Sequence, residues 1–168
     1  MSRWMCFWTA IATCIVVLSA GCSRRAQVAM PRQITLYYCK AGSGALVPMK
    51  YTADAAMSGS ALENYAVDQL LSGPAAGQDA LVLFPAGTRA VVTQSGGTAI
   101  VDLKGPLTRP LRIGASDEIA LFKSLTYTLT DLPAVKNVQV LIDGHRSAVL
   151  PGGGFELDEP LTRETFAQ

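Results

Sequence analysis

The sequence predicts an α+β domain in which a mostly antiparallel sheet carries two helices on one face. Three observations carry that prediction. Short runs rich in β-branched and aromatic residues recur in pairs around glycine-rich turns. Two segments with apolar residues every three or four positions lie between those pairs. Beyond about residue 33 a single cysteine, Cys39, remains, so stability has to come from a packed core and not from disulfides.

The elements follow in order. Ile34 to Tyr38 alternates as a strand, and Ala41-Gly42-Ser43-Gly44 turns into a second strand from Ala45 to Thr52. Pro48 cannot donate to a ladder, which suits an edge. Ser60-Ala61-Leu62-Glu63 has the form of a capping box. Leu62, Ala66 and Leu70, with Val67 and Leu71 beside them, form the apolar face of the first helix. Gly73-Pro74 ends it. Leu81 to Phe84 is short and apolar. Ala90 to Thr93 and Thr98 to Leu103 form a hairpin around Gln94-Ser95-Gly96-Gly97. Ser116 is placed to cap the second helix, with Asp117 and Glu118 favourable in its first turn. Leu121, Leu125, Leu129 and Leu132 line its face, widened by Ile119 and Phe122. Threonines 126, 128 and 130 are poor helix formers and predict an irregular last turn. Val138 to Ile142 is a strand, Asp143-Gly144 a two-residue turn, and Arg146 to Leu150 a return strand. The tail from Pro151 reads as a loop with one more short segment. The pattern is ββαββαββ and contains a split β-α-β kernel.

The N-terminal region reads as targeting information. Arg3 precedes an apolar run from Trp4 to Ala20, which ends in Ser19-Ala20-Gly21-Cys22. Charge, apolar stretch and small residues in that order mark a cleavable signal. The run is short for a membrane span, which is the alternative. Leu18-Ser19-Ala20-Gly21-Cys22 resembles a bacterial lipobox, with Ser19 where an aliphatic residue is usual; this makes Cys22 the expected lipidation site. The expected division is 1–21 signal peptide, 22–33 lipidated N-terminus and linker, and 34–168 folded domain. Two or three acyl chains would hold the protein on a membrane, with a linker reaching at most about 36–40 Å.

Charge points to no polyanionic partner. The chain has 14 basic and 13 acidic residues, and loss of Arg3 with the signal leaves the domain neutral, so nucleic acid is not expected. Arg24, Arg25 and Arg32 read as part of a solvated linker, with contact to anionic headgroups as the alternative.

Several phrases occur in an order that resembles the GerMN domain of sporulation and spore germination. They are Leu36-Tyr37-Tyr38, Leu70-Leu71-Ser72-Gly73-Pro74, Phe84-Pro85-Ala86-Gly87-Thr88, Ala99-Ile100-Val101-Asp102-Leu103, Leu125-Thr126-Tyr127-Thr128-Leu129-Thr130, and Val135-Lys136-Asn137-Val138 leading to Asp143-Gly144. The resemblance covers roughly residues 34 to 160. It implies a non-enzymatic envelope module that supports protein assembly. The germination protein that names the domain carries two tandem copies; this chain has one.

No set of residues predicts catalysis. Asp143, His145 and Ser147 have the residue types of a triad, but neighbouring strand positions point to opposite faces. One histidine and one remaining cysteine cannot make a zinc site. Gly152-Gly153-Gly154 lacks the lysine and helix of a phosphate loop and reads as a flexible turn. Asp117 and Glu118 read as helix-terminus residues, and Cys39 as an inert strand residue. No metal and no cofactor are therefore expected. The expected function is a membrane-anchored, extracytoplasmic interaction module (outer membrane where the organism has one) with an envelope protein partner, mainly monomeric in isolation. The alternative is a membrane-proximal binder of a small ligand or wall fragment. The expected contact surface is the open sheet face or its edge.

Overall fold

The computed structural model describes residues 30–40, 43–110 and 112–167. The signal peptide, the proposed lipidation site at Cys22 and the Ala41-Gly42 part of the first turn lie outside the described residues. The elements are β1 (Arg32–Cys39), β2 (Leu46–Ala53), α1 (Ser60–Ser72), β3 (Arg89–Ser95), β4 (Thr98–Lys104), α2 (Ala115–Thr130) and β5 (Asn137–Ile142), with 3₁₀ turns at Pro106–Thr108 and Glu164–Phe166.

This is the α+β architecture that the alternating pattern implies, and its strands divide into two sheets. β1 and β2 form an antiparallel pair. In the other sheet β4 lies between β3, antiparallel to it, and β5, parallel to it. The parallel pair follows from the connection: α2 carries the chain back to the starting end of the sheet, as a β-α-β unit requires. Gly96 and Gly97, at φ 59° and 89°, make the two-residue turn between β3 and β4. Both have the positive φ that the twist of a tight hairpin demands.

The core joins both sheets through the helices. Leu36 and Tyr38 from β1, Leu62, Ala66 and Leu70 from α1, Val101 and Leu103 from β4, and Leu121, Leu125 and Leu129 from α2 form one buried cluster. The expected apolar faces of both helices are therefore the buried ones, with the exception of Ile119 on α2, which is exposed. α2 is covered on further sides as well, since Ser124, Thr126 and Thr128 are also buried.

Four local expectations are corrected. Ser60 does not cap α1: it is the first helical residue, the N-cap is Gly59, and no side chain bonds there. Glu63 does not reach back to the cap but is buried in the core. Ser116 likewise lies inside α2, whose N-cap is Gly114. The last turn of α2 stays helical because its threonines have partners. Thr130 Oγ1 donates to the Thr126 carbonyl, and Thr128 Oγ1 accepts from the Tyr37 amide. Finally, Arg146 to Leu150 forms no return strand. Asp143 and Gly144 make the tight turn, at φ 53° and 81°, but pairing stops after Ile142 and His145.

The chain after that turn is part of the core. Leu150, Leu157, Leu161 and Phe166 are buried, and Phe155 stacks between Phe122 of α2 and Phe166. Arg163 fastens this segment. Its guanidinium lies 4.8 Å from the Tyr127 ring centroid and 5.8 Å from that of Tyr37, and 3.1 Å from the Asp131 carboxylate. Cation–π and ionic contacts thus tie tail, α2 and β1 together.

Candidate interaction surface

The triad-like residues do not converge. His145 and Asp143 are exposed at the turn after β5, and Ser147 Oγ donates to the Val149 carbonyl. The neighbouring carboxylate that the turn does use is Asp102, which accepts the Gly144 amide at 2.6 Å. Cys39 is buried, with Sγ 3.3 Å from the Ala120 carbonyl. Burial, reinforced by the Asp117 charge, pushes its thiol up to about 11, the opposite of what a reactive thiol needs. The glycine run is not a flexible turn: the Gly154 amide donates to Glu118 at 2.9 Å, holding the loop on α2. Glu118 is thus a tertiary anchor as well as a first-turn residue.

Polar side chains on both helices, and the backbone of the tail, are consumed in closing strand edges. On the outer side of β3, the Asn64 carboxamide accepts from the Val92 amide at 2.8 Å and donates to its carbonyl at 2.6 Å. On the outer side of β1, Thr128 accepts the Tyr37 amide at 3.0 Å, while Ser124 donates to the Tyr37 carbonyl at 2.5 Å. On β5, Leu161 exchanges two backbone bonds with Val138, and the Gln139 amide donates to Leu157 and Val140 carbonyls. Each closure denies another chain a row of unpaired groups.

β2 is the remaining edge, and it is blunted by its own residues. Tyr37 uses its backbone groups outward, so in an antiparallel pair its partner Pro48 also faces outward. The missing N–H of Pro48 is therefore missing from the free edge and not from the ladder. Four residues farther along, the Tyr65 hydroxyl donates to the Thr52 carbonyl. Of the two sheets' edges, β2 thus keeps an outward side, and Pro48 interrupts it.

Among the described residues, two surfaces present exposed large apolar side chains from the folded elements. One is the outer face of the three-stranded sheet, where Val91 is 51% exposed beside Thr93 and Ile100. The other is a cleft of about 470 Å³ where α2 meets the end of β1. Its walls are Leu81 and Leu83 on one side and Ile119, Ala120 and Lys123 on the other, with Cys39 at the apex. Leu81 and Ile119 are 48% and 43% exposed. Sequence reasoning assigned Ile119 to the buried face of α2. Its place on the cleft depends on where the Leu81–Phe84 segment runs, which helical periodicity does not contain.

Comparison with known proteins gives one consistent picture. The family model Germane, described as sporulation and spore germination, matches residues 35–148. The first GerMN domain of the Bacillus subtilis sporulation protein GerM is similar in structure, with a TM-score of 0.65 and 24% identity over 79% of this chain and 98% of that one. The tandem GerMN structure of the same protein aligns with a TM-score of 0.59 and 22% identity over 80% of this chain, which spans 46% of the tandem pair. A Clostridium perfringens protein described as a lipoprotein aligns with a TM-score of 0.57 and 19% identity, over 80% of this chain and 89% of that one. No curated protein matches in sequence.

Proposed function

This chain belongs to the Germane family of sporulation and spore germination, and from that premise we propose that it is a non-enzymatic envelope lipoprotein that acts by contact with protein partners. The observation that carries the reading is the use made of the polar side chains. Asn64, Ser124 and Thr128 bond backbone groups along strand edges, Gln139 ties β5 to the tail at Leu157, and Asp102 holds the turn after β5. These residues serve a closed scaffold that meets other molecules through its sheet face and its cleft. The lipobox-like segment ending at Cys22 supplies the anchor in this reading, and the similarity to a clostridial lipoprotein supports it.

Detergent-phase partition of the full-length protein tests the anchor. Wild type is expected in the detergent phase, and Cys22→Ser in the aqueous phase or as unprocessed precursor. Full maturation of Cys22→Ser with unchanged partition would overturn it. Affinity purification from solubilised membranes tests the contact reading and is expected to recover a stable envelope protein partner. Turnover of a wall fragment that is lost in His145→Ala would overturn the non-enzymatic assignment.

A further inference from the structure

We propose that the cleft between α2 and the Leu81–Phe84 segment is the docking site for an extended polypeptide segment of another protein; this rests on the contact reading above and gives it a place and a ligand class. The cleft exists because α2 interrupts a strand pairing. Cys39 and Leu81 form an antiparallel pair closed by bonds of 3.2 and 2.7 Å. Continued in register, that pairing would set Leu83 opposite Tyr37. The backbone groups of Tyr37 are instead taken by the hydroxyls of Thr128 and Ser124. Leu83 is left beside the cleft, and neither its N–H nor its C=O bonds a described residue.

Three features select the occupant. First, Leu81 and Ile119 are two of the four large apolar residues exposed among the described residues, and they share this cleft. Second, backbone groups without a partner among the described residues, beside a cleft of mixed polar and apolar lining, favour a peptide over an acyl chain. A hydrocarbon would desolvate them without a partner, whereas an extended chain pairs them and offers alternate side chains to the walls. Third, the lining carries both signs: Asp117 and Lys123 on α2, and Lys40 after β1, whose ammonium lies 3.7 Å from the Asp79 carboxylate. That pattern complements a chain of mixed charge and not a polyanion.

The tether sets the source. The cleft is at the far end of β1 from Met30, about 30 Å away at the rise of a strand. A segment from Cys22 to Met30 spans at most about 26–29 Å, so it cannot start at the bilayer and also fill the cleft.

The test uses the full-length protein in lipid nanodiscs and a fluorescein-labelled peptide of alternating valine and threonine, with lysine at one end and glutamate at the other. Saturable binding is expected, together with slowed amide exchange at Leu83. Ile119→Glu, at an exposed position that leaves the core intact, should weaken binding at least tenfold, as should N-methylation of alternate peptide amides. No binding at millimolar peptide would overturn the proposal. So would binding indifferent to Ile119→Glu, or peptide displaced by dodecanoate yet insensitive to N-methylation, which would mark an acyl site. Failure of the anchor alone reads differently: the protein leaves the nanodisc but still binds the peptide.

Discussion

The two helices begin alike and resolve the same problem differently. Each follows a glycine N-cap, Gly59 or Gly114, and each has glutamate as its fourth residue. Both glutamates are buried, Glu63 at 1% and Glu118 at 3% exposure. Glu118 accepts a bond from the Gly154 amide across the fold. Both carboxylate oxygens of Glu63 lack a partner among the described residues, and burial raises its pKa above the ordinary 4.5. The helix sequences alone do not distinguish the two. What differs is the receiver, a glycine loop 36 residues from Glu118 that has no counterpart at Glu63.

The largest expected effect probes how differently the helices are buried. Leu70 of α1 and Leu125 of α2 are both buried, at 1% and 0% exposure. Truncating either to alanine should cost about 2–5 kcal/mol in denaturant unfolding. Leu125→Ala should cost more, because α2 is covered by β1, α1 and the tail and its surroundings have less freedom to collapse. Equal losses would mean that the extra cover of α2 carries no energetic weight; losses below half a kilocalorie for both would place the helix faces wrongly.

Next comes the receiver loop. A Cβ at position 153 would fall on the Glu118 carboxylate. Gly153→Ala should therefore cost about 1–3 kcal/mol by overpacking. In a Glu118→Ala background the same change should cost at least about 0.5 kcal/mol less, since contacting residues couple. Strict additivity of the two changes would remove Glu118 as the reason for the glycine.

How far these features were legible in the sequence depends on the range of the interaction. The helix faces, the two tight turns and the edge position of Pro48 follow from periodicity and local stereochemistry, and they stand. Ser60 and Ser116 fit capping patterns equally well, yet glycines occupy the cap positions in both helices. Thr128 counted against a regular helix on propensity alone; the compensating bond comes from Tyr37, 91 residues away. The tail between Leu150 and Phe166 has no long periodic run, so its role as core was invisible until β5 and α2 offered it a surface.

The unpartnered carboxyl of Glu63 should appear as a pH dependence. Its pKa is raised in the fold, so the fold prefers the neutral form. Below the unfolded value both states are protonated and the stability is fully present. As pH rises toward and through the folded value, the unfolded chain ionises first and stability falls. Urea unfolding should show wild type losing ground to Glu63→Gln as pH climbs above about 4.5. Parallel pH profiles would mean that Glu63 finds a partner in solution and that the two helices are more alike than they look.

The smallest expected effect concerns the one edge that neither helix side chains nor the tail fully close. Pro48 faces outward on β2 and leaves the ladder with β1 intact, so Pro48→Val should change stability by no more than about 0.5 kcal/mol. Its consequence should instead be association. The substitution restores an outward N–H between Leu46 and Lys50 and adds a β-branched side chain, which makes the edge a better template for another strand. Light scattering at micromolar concentration should report mainly monomer for wild type and a concentration-dependent shift to larger species for Pro48→Val. Asn64→Ala, which uncovers the Val92 groups on β3, should promote association in the same assay and also destabilise the fold, because it removes both bonds to Val92 and a third to the Ser60 carbonyl. A monomeric Pro48→Val beside an associating Asn64→Ala would show that Tyr65 suffices to guard β2. The reverse result would make the proline the principal barrier to self-assembly.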